Sequence, residues 1–121
     1  MNTINIEKII EILVEKKLKN IEAFDLKNKS NILKFIILGT CTNEKKCKQT
    51  ANEIADDLRK LKHNIEIEGE FPGDWIILDA GEFLIEIFTE DTRKQYNLEK
   101  LWGDYKNRVA ELPKKRKKKT V

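Results

Sequence analysis

Carboxylates, cysteines and one histidine are the residues of this chain that could support catalysis. Nucleotidyl transfer needs paired carboxylates on a strand to hold Mg²⁺ beside a triphosphate. It is also helped by a glycine and a hydroxyl residue before a phosphate-binding helix. Gly39 and Thr40 meet the second requirement. Asp25 and Asp79 do not meet the first, because each stands alone on its predicted strand. The pattern therefore favours a glycine required by a strand-to-helix turn over an active nucleotidyltransferase.

The cysteines and the histidine predict no metal site. Structural zinc usually needs four Cys or His ligands, whereas this chain has Cys41, Cys47 and only His63. Cys47 falls on an apolar helix stripe and is expected to be a small buried hydrophobe, while Cys41 could be a reactive thiol near a helix N-terminus. Two cysteines provide no disulfide framework and fit a reducing compartment. We therefore expect no catalytic residues, no cofactor, no metal and a cytoplasmic location.

Three large aromatic residues, Trp75, Tyr96 and Trp102, are the remaining candidates. Large aromatic side chains usually belong to the core, but they are also enriched at interface hot spots. Trp75 follows Asp74 at the start of a predicted strand, where one face can be exposed. The residues alone leave core and interface roles open.

Size and charge indicate one domain with a basic extension. The chain has 121 residues, of which 40% are hydrophobic and 37% charged, with a net charge of +3. No apolar run is long enough for a membrane span, and the first residues do not resemble a secretory signal. We predict a folded domain over residues 1–104 and a disordered tail over residues 105–121.

The basic run in that tail allows several interpretations. It carries six positive charges, so the rest of the chain carries −3. Six adjacent like charges repel one another and bury nothing, which predicts disorder. The run could bind RNA phosphates, have no role, or resemble a nuclear localisation signal by chance. Its residues are Lys114, Lys115, Arg116, Lys117, Lys118 and Lys119.

Hydrophobic periodicity predicts how these residues are positioned. Spacings of three and four indicate helices, and alternating or short continuous apolar runs indicate strands. Strand–helix–strand alternation suggests a parallel portion, and closing hairpins add antiparallel strands. The predicted fold class is therefore α/β (mixed α+β), with a five-stranded mixed sheet flanked by helices. The predicted elements are a helix over 4–18 capped by Asn2 or Thr3, strands over 21–26 and 35–38, a helix over 47–61 capped by Thr40, Thr42 or Asn43, strands over 65–68, 75–78 and 84–88 with a turn over 79–82, and short helices over 89–95 and 97–102.

Several short motifs occur in an order typical of one protein family. The chain contains Glu-Gly-Glu at 68–70, Asp-Trp at 74–75 and Leu-Asp-x-Gly at 78–81. Arg93, Tyr96 and the sequence Leu-Glu-Lys-Leu-Trp at 98–102 follow. Together these motifs closely resemble the Iojap/RsfS family, the ribosomal silencing factors, over residues 4–102. The resemblance implies a nucleotidyltransferase-like architecture without catalytic activity.

The resemblance also implies a partner and a mechanism. Proteins of this family bind the large ribosomal subunit through ribosomal protein uL-fourteen on the intersubunit face. Occupying that surface prevents the small subunit from joining and represses translation, and organellar relatives act in large-subunit assembly. An exposed aromatic patch would also allow a homodimer in the free protein that gives way to a monomer on the ribosome.

The implied contact residues lie between the Asp-Trp motif and the last aromatic. Trp75 would be the apolar anchor, extended by Ile77 on the same strand face. Asp79 and Arg93 could contact a basic ribosomal protein, or hold the hairpin against the last helix. Arg93 could then pair with Asp79 or Glu82 inside the domain. Tyr96 and Trp102 complete the implied patch.

The chain departs from the family pattern near Gly39. The family's Ser-Ser-Arg-His is replaced by residues 41–44, Cys-Thr-Asn-Glu, and a histidine common on the last strand is Glu86 here. These changes leave the region from Trp75 to Trp102 intact. Two other functions stay open: a nucleotidyltransferase-like enzyme, and a general RNA-binding protein acting through the tail.

Overall fold

Eight elements make up the part of the chain that the structure, a computed structural model, describes. It describes residues 5–27 and 33–96. The predicted helix at 97–102, Trp102, the basic tail and the proposed boundary after residue 104 lie outside these ranges. In chain order the elements are α1 (Ile6–Glu15), β1 (Lys19–Asp25), β2 (Phe35–Cys41), α2 (Glu44–Lys60), β3 (Glu66–Glu68), β4 (Trp75–Asp79), β5 (Phe83–Thr89) and α3 (Glu90–Tyr96).

The five strands form one mixed sheet in the order β1-β2-β5-β4-β3. β2 and β5 are parallel neighbours, and the other three pairings are antiparallel. The connection from β2 to β5 contains α2, since parallel strands need a long crossover. The predicted element order and the five-stranded mixed sheet are therefore confirmed.

Asparagine side chains begin both long helices. The backbone N–H of Lys8 donates to Asn5 Oδ1 at 2.8 Å, and that of Lys46 donates to Asn43 Oδ1 at 2.8 Å. Each bond satisfies one of the N–H groups that a helix start leaves without a partner. Asn43 was one of the predicted caps. The prediction of Asn2 or Thr3 for α1 was wrong, because Asn5 takes that role, four residues before Ile9, the first buried residue of the helix.

The sheet separates two apolar clusters. Residues of α1 and α2 pack on one face of the sheet with the odd-numbered β5 residues Ile85 and Ile87. Phe24, Ile36, Leu38 and Phe88 form the second cluster on the opposite face. Successive strand residues point to opposite faces, so both faces of the central strands are apolar. This explains why β2 is buried along its whole length.

The structure joins Cys41 to Cys47 in a disulfide. β2 continues to Cys41, three residues beyond the predicted end of the strand, and Cys47 lies in the first turns of α2. The two Cα atoms are 5.5 Å apart, a usual distance for such a bond. The expectation of a free reactive thiol at Cys41 and an unpaired Cys47 is corrected, because the longer strand brings the two side chains together.

The helices of the described ranges are short or strongly polar. None of them is both long enough and apolar enough to cross a lipid bilayer.

Candidate functional site

Two of the candidate residues, Trp75 and Arg93, lie at the end of the sheet where β2 and β5 terminate. Cys41 pairs with Thr89 at this end, and Trp75 at the start of β4 lies opposite Phe88. Both α2 and α3 begin here, and residues 69–74 lead from β3 into β4. We call this region the Trp75 end of the sheet. It combines one strand start with two helix N-termini.

Trp75 is half-buried and its ring is held from two directions. Its indole Nε1–H donates to Glu86 Oε1 at 3.0 Å. The ring meets Phe88 edge-on, with 6.0 Å between the ring centroids, within the range that aromatic pairs favour. Ile77, two residues along β4, shares this face and is also partly exposed. The predicted common face of Trp75 and Ile77 is confirmed, since their neighbours Ile76 and Leu78 belong to the opposite core.

Glu86 is a buried carboxylate behind the tryptophan, with 4% of its surface exposed. Burial raises the pKa of the Glu86 carboxyl above its ordinary value, and the hydrogen bond from Trp75 acts in the opposite direction. Because β4 and β5 are antiparallel, Glu86 faces Ile77 and reaches Trp75 diagonally. Glu86 departs from the family pattern, and the sequence alone did not predict this role for it. A single acidic residue within an apolar strand was the available signal.

Arg93 is buried inside the domain, with 4% exposure. Its Nη1 donates to the carbonyl oxygen of Asn20 at 2.6 Å and to Thr40 Oγ1 at 2.7 Å. The guanidinium carbon lies 5.6 Å from the centre of the Phe88 ring. Arg93 thus connects α3 to β1, β2 and β5. The proposed internal pairing with Asp79 or Glu82 was wrong, because those residues lie at the opposite end of the antiparallel β4–β5 hairpin.

Asp74 connects the start of β4 to the start of α3. Its backbone carbonyl accepts from Thr89 N–H at 3.1 Å, and its Oδ2 accepts from Thr92 Oγ1 at 3.2 Å. Thr89 Oγ1 in turn accepts from Thr92 N–H at 3.4 Å. The predicted cap at Thr89 is confirmed. The sequence did not predict that Asp74 and Thr92 join the start of β4 to the start of α3. The Thr-x-x-Thr spacing of Thr89 and Thr92 was nevertheless visible in it.

Asp79 lies at the other end of β4. Four residue steps along a strand separate it from Trp75 by about 13 Å. It is exposed, and its Oδ1 accepts from Gly81 N–H at 2.9 Å within the predicted turn. Glu82 of the same turn forms an ion pair with Lys34 at 3.4 Å. Asp79 therefore shapes the hairpin turn.

The residues that could have supported phosphate chemistry have structural contacts. A Cβ added at Gly39 would meet Leu18 Cδ1 at 3.0 Å. The glycine therefore leaves the space that the Leu18 side chain needs to pack against β2. Thr40 is buried and accepts from Arg93. Within residues 5–27 and 33–96, no group of three or more His, Cys, Asp or Glu side chains is arranged to hold a metal ion.

The arrangement as a whole suits binding better than catalysis. A half-buried tryptophan is oriented by one hydrogen bond and one aromatic contact, and the helix beside it is fixed by Arg93 and Asp74. Rigid aromatic side chains lose little conformational entropy on contact with a partner. The backbone of Tyr96 ends α3, and its side chain and Trp102 lie outside what the structure describes.

Comparison with known proteins identifies the family. A sequence model of the RsfS family, described as "Ribosomal silencing factor during starvation", matches residues 2–121. The chain is 32% identical over 99 residues to the ribosomal silencing factor RsfS of Haemophilus influenzae, covering 81% of this chain and 97% of that protein. It is also 32% identical over 91 residues to RsfS of Halalkalibacterium halodurans, covering 74% and 78%.

A solved structure supports the same assignment. A crystal structure of a protein from Chromobacterium violaceum superposes with a TM-score of 0.76 at 28% identity, covering 83% of this chain and 88% of that one. The sheet, the ordered motifs and the sequence match over nearly the whole chain agree: this chain belongs to the RsfS family of ribosomal silencing factors.

Proposed function

We propose that this protein binds the large ribosomal subunit through ribosomal protein uL-fourteen and thereby prevents the small subunit from joining. Membership of the silencing-factor family supports an action on the ribosome. The observation that carries the proposed contact is Trp75, a large aromatic residue that is only half-buried and whose indole is fixed by Glu86.

The mechanism is steric competition. A protein that covers the surface used by an intersubunit bridge excludes the small subunit without any chemical step. Its effect depends on concentration and affinity, because two partners compete for one site by mass action. Repression of translation then follows from the lower concentration of joined ribosomes.

Trp75 and Ile77 form the apolar centre of the proposed interface. A fully desolvated tryptophan at such a centre typically contributes about 2 kcal/mol or more, which corresponds to about 30-fold in affinity. Asp79 would lie towards the rim, since a standard interface buries roughly 800 Å² per partner and readily spans the length of β4. Rim charges mainly alter association rate and salt dependence.

Arg93 has a supporting role in this proposal. Its buried guanidinium is bonded to Asn20 and Thr40, so it positions α3 beside Trp75. A direct contact of Arg93, Tyr96 or Trp102 with the partner stays a prediction.

Subunit joining tests the proposal directly. Purified small and large subunits are mixed with the wild-type protein, and joined ribosomes are measured by sedimentation. Trp75→Ala is expected to abolish most of the inhibition, and Asp79→Ala to weaken it by less than about fivefold. Val14→Ala is the matched control, because Val14 is an apolar residue with 45% exposure on α1.

Each outcome has a clear meaning. Inhibition by the wild type and by Val14→Ala, but not by Trp75→Ala, supports both the mechanism and its anchor. Equal inhibition by all variants leaves the mechanism standing and removes Trp75 as the anchor. If the wild type neither inhibits joining nor sediments with large subunits, the proposal is rejected.

Two further proposals concern the basic tail and an enzymatic activity. Lys114–Lys119 would add ribosomal RNA affinity: deleting residues 114–121 should then cause a mild loss of binding that is largest at low salt and shrinks as the salt concentration rises. Complete loss would instead favour a general RNA-binding protein. Mg²⁺-dependent nucleotide turnover that disappears in Asp79→Ala would favour the enzyme alternative.

The cellular setting is also part of the proposal. We infer a cytoplasmic protein that is monomeric on the ribosome, with an optional role in large-subunit assembly. A homodimer of the free protein would use the same aromatic surface, so added large subunits should dissociate it.

A further inference from the structure

Phe71 is the most exposed of the large hydrophobic residues that the structure describes. Its exposed fraction is 94%, compared with 45% for Val14 and 40% for Leu61. Burying a phenylalanine side chain is worth roughly 1.5–3 kcal/mol. The folded domain gains almost none of this stabilisation at Phe71, whereas the other two residues are about half covered.

The turn that carries Phe71 is closely fixed to the rest of the domain. Gly69 and Gly73 have φ angles of +87° and +82°, which side chains rarely adopt. The N–H of Gly73 donates to the carbonyl of Gly69 at 3.0 Å and closes the turn. Glu70 accepts from Asn52 Nδ2 of α2 at 2.9 Å. Phe71 is thus displayed on a preorganised turn.

Neither of these glycines has room for a side chain. A Cβ at Gly69 would collide with the carbonyl oxygen of Trp75, and one at Gly73 would lie 2.7 Å from Lys48 Cε and 3.2 Å from the carbonyl oxygen of Glu44. The turn therefore packs directly on the strand that bears the proposed anchor and on the first turns of α2. This close packing limits the orientations that Phe71 can take relative to the Trp75 end.

Phe71 is close enough to Trp75 to contact the same partner. Four residue steps separate them, so their Cα atoms are at most about 14 Å apart. Phe71 lies in the turn before β4 and Trp75 is the first residue of that strand, so the two residues are at the same end of the sheet. A partner surface of standard size covers roughly 800 Å² on each side and reaches both residues.

The charge around Phe71 favours a basic protein surface as the partner. Glu66 and Glu68 on β3, the outermost strand of the described sheet, and Glu70 in the turn that follows are exposed. Lys48 is the one basic side chain among the contacts of the turn given above. Carboxylates repel the phosphate backbone of RNA, whereas they complement lysine and arginine side chains at the rim of a protein interface.

We propose that Phe71 is a second apolar anchor, and that the acidic edge beside it extends the interface towards a basic protein surface of the large subunit. This inference rests on the proposed function, because it assigns a further surface to the same partner. It concerns residues outside the motifs that indicated the family, since Phe71 and Pro72 lie between Glu-Gly-Glu and Asp-Trp.

Binding of Phe71→Ser to purified large subunits tests the inference. We expect a loss of affinity of about tenfold, with the thermal midpoint unchanged because the side chain makes almost no contact in the folded protein. Val14→Ser is the matched control and is expected to bind within twofold of the wild type. Trp75→Ala serves as the reference for the proposed anchor.

The outcomes separate this inference from the proposed function. Normal binding by Phe71→Ser beside weak binding by Trp75→Ala overturns the second anchor and leaves the first. An equal loss in Phe71→Ser and Val14→Ser also overturns it, because any exposed apolar residue would then act alike. Absence of wild-type binding rejects both proposals.

The class of partner is tested with isolated components. Binding is repeated with purified uL-fourteen and with protein-free large-subunit ribosomal RNA. A tenfold loss for Phe71→Ser with the ribosomal protein supports the inference. A loss seen only with the RNA would overturn it in favour of stacking on an unpaired base.

Discussion

An aspartate lies at each end of β4, Asp74 just before the strand and Asp79 at its last position, but the two aspartates have different environments. At one end, Asp74 and Trp75 contact β5 and α3 through side-chain hydrogen bonds. At the other end, Asp79 bonds only within its own turn among the contacts described above. Aspartate thus connects separate elements at the first end and closes a local hairpin at the second. The Trp75 end depends on tertiary structure, while the hairpin end depends mainly on turn chemistry.

This difference has a functional consequence. A binding surface must keep its shape before the partner arrives, because ordering side chains during binding reduces affinity. The Trp75 end satisfies that requirement through the buried Glu86 and Arg93, whereas the hairpin end offers exposed, locally ordered polar groups. We therefore place the energetic centre of the proposed interface at the Trp75 end.

Removing Arg93 should give the largest effect on stability and the strongest test of this difference. Arg93→Ala deletes two short charge-assisted hydrogen bonds and the contact with Phe88. We expect the free energy of unfolding to fall by about 3 kcal/mol, measured by urea denaturation. Lys94→Ala, next to it on α3 with a side chain 74% exposed, should cost less than about 0.5 kcal/mol. Similar losses in the two variants would contradict a supporting role for Arg93.

Alanine at two glycines compares the ends of β4 directly. Gly69 and Gly81 both have positive φ angles, +87° and +84°. A Cβ at Gly81 would point into open space, but one at Gly69 would collide with Trp75 backbone. Gly81→Ala should therefore cost about 1 kcal/mol from backbone strain, and Gly69→Ala about 2–3 kcal/mol because steric overlap is added. Thermal and urea unfolding would measure both, and equal costs would show that the Trp75 end is not the more tightly packed one.

Glu86→Gln should give a smaller effect that depends on pH. Burial raises the pKa of Glu86 in the folded protein from its ordinary value of 4.5, so the folded state holds this proton more tightly than the unfolded state does. The resulting stabilisation is complete below the unfolded pKa and is lost as pH rises through the folded pKa. Glutamine carries no charge at any pH, so we expect the variant to be more stable than the wild type by about 1 kcal/mol at pH 7.

The difference between these two proteins should shrink as the pH falls towards 4.5. Thermal unfolding at several pH values gives the curve, and Glu66→Gln on the exposed β3 strand is the control, with an expected change below about 0.5 kcal/mol. A wild type more stable than Glu86→Gln at neutral pH would indicate that the charged hydrogen bond with Trp75 outweighs the cost of burial.

Much of the fold could be predicted because its signals are local. The apolar stripe of α2, the alternation in β4 and the turn residues at 79–82 each act within a few positions, and the structure confirms the elements they indicated. The ordered motifs could identify the family because each of them is also a short, local pattern in the sequence. The starts of helices were less predictable: Asn5 and Asn43 cap theirs, and several nearby polar residues were equally good candidates by type.

The side-chain contacts of the candidate site could not be predicted in this way. Arg93 bonds to groups 53 and 73 positions earlier in the chain, and its partners are set by how β1, β2 and α3 meet. The cysteine pair was missed because the strand continued further than its apolar run.

The sequence by itself determined the order of elements, the mixed sheet, the common face of Trp75 and Ile77, and the family. Hydrophobic periodicity and turn chemistry are sufficient for these, since each element is specified by its own neighbours. Only the tertiary structure decided that Glu86 holds the indole, that Arg93 lies inside the domain, and that Phe71 remains exposed. Burial and hydrogen-bond partners are properties of residues brought together by folding, and no local pattern encodes them.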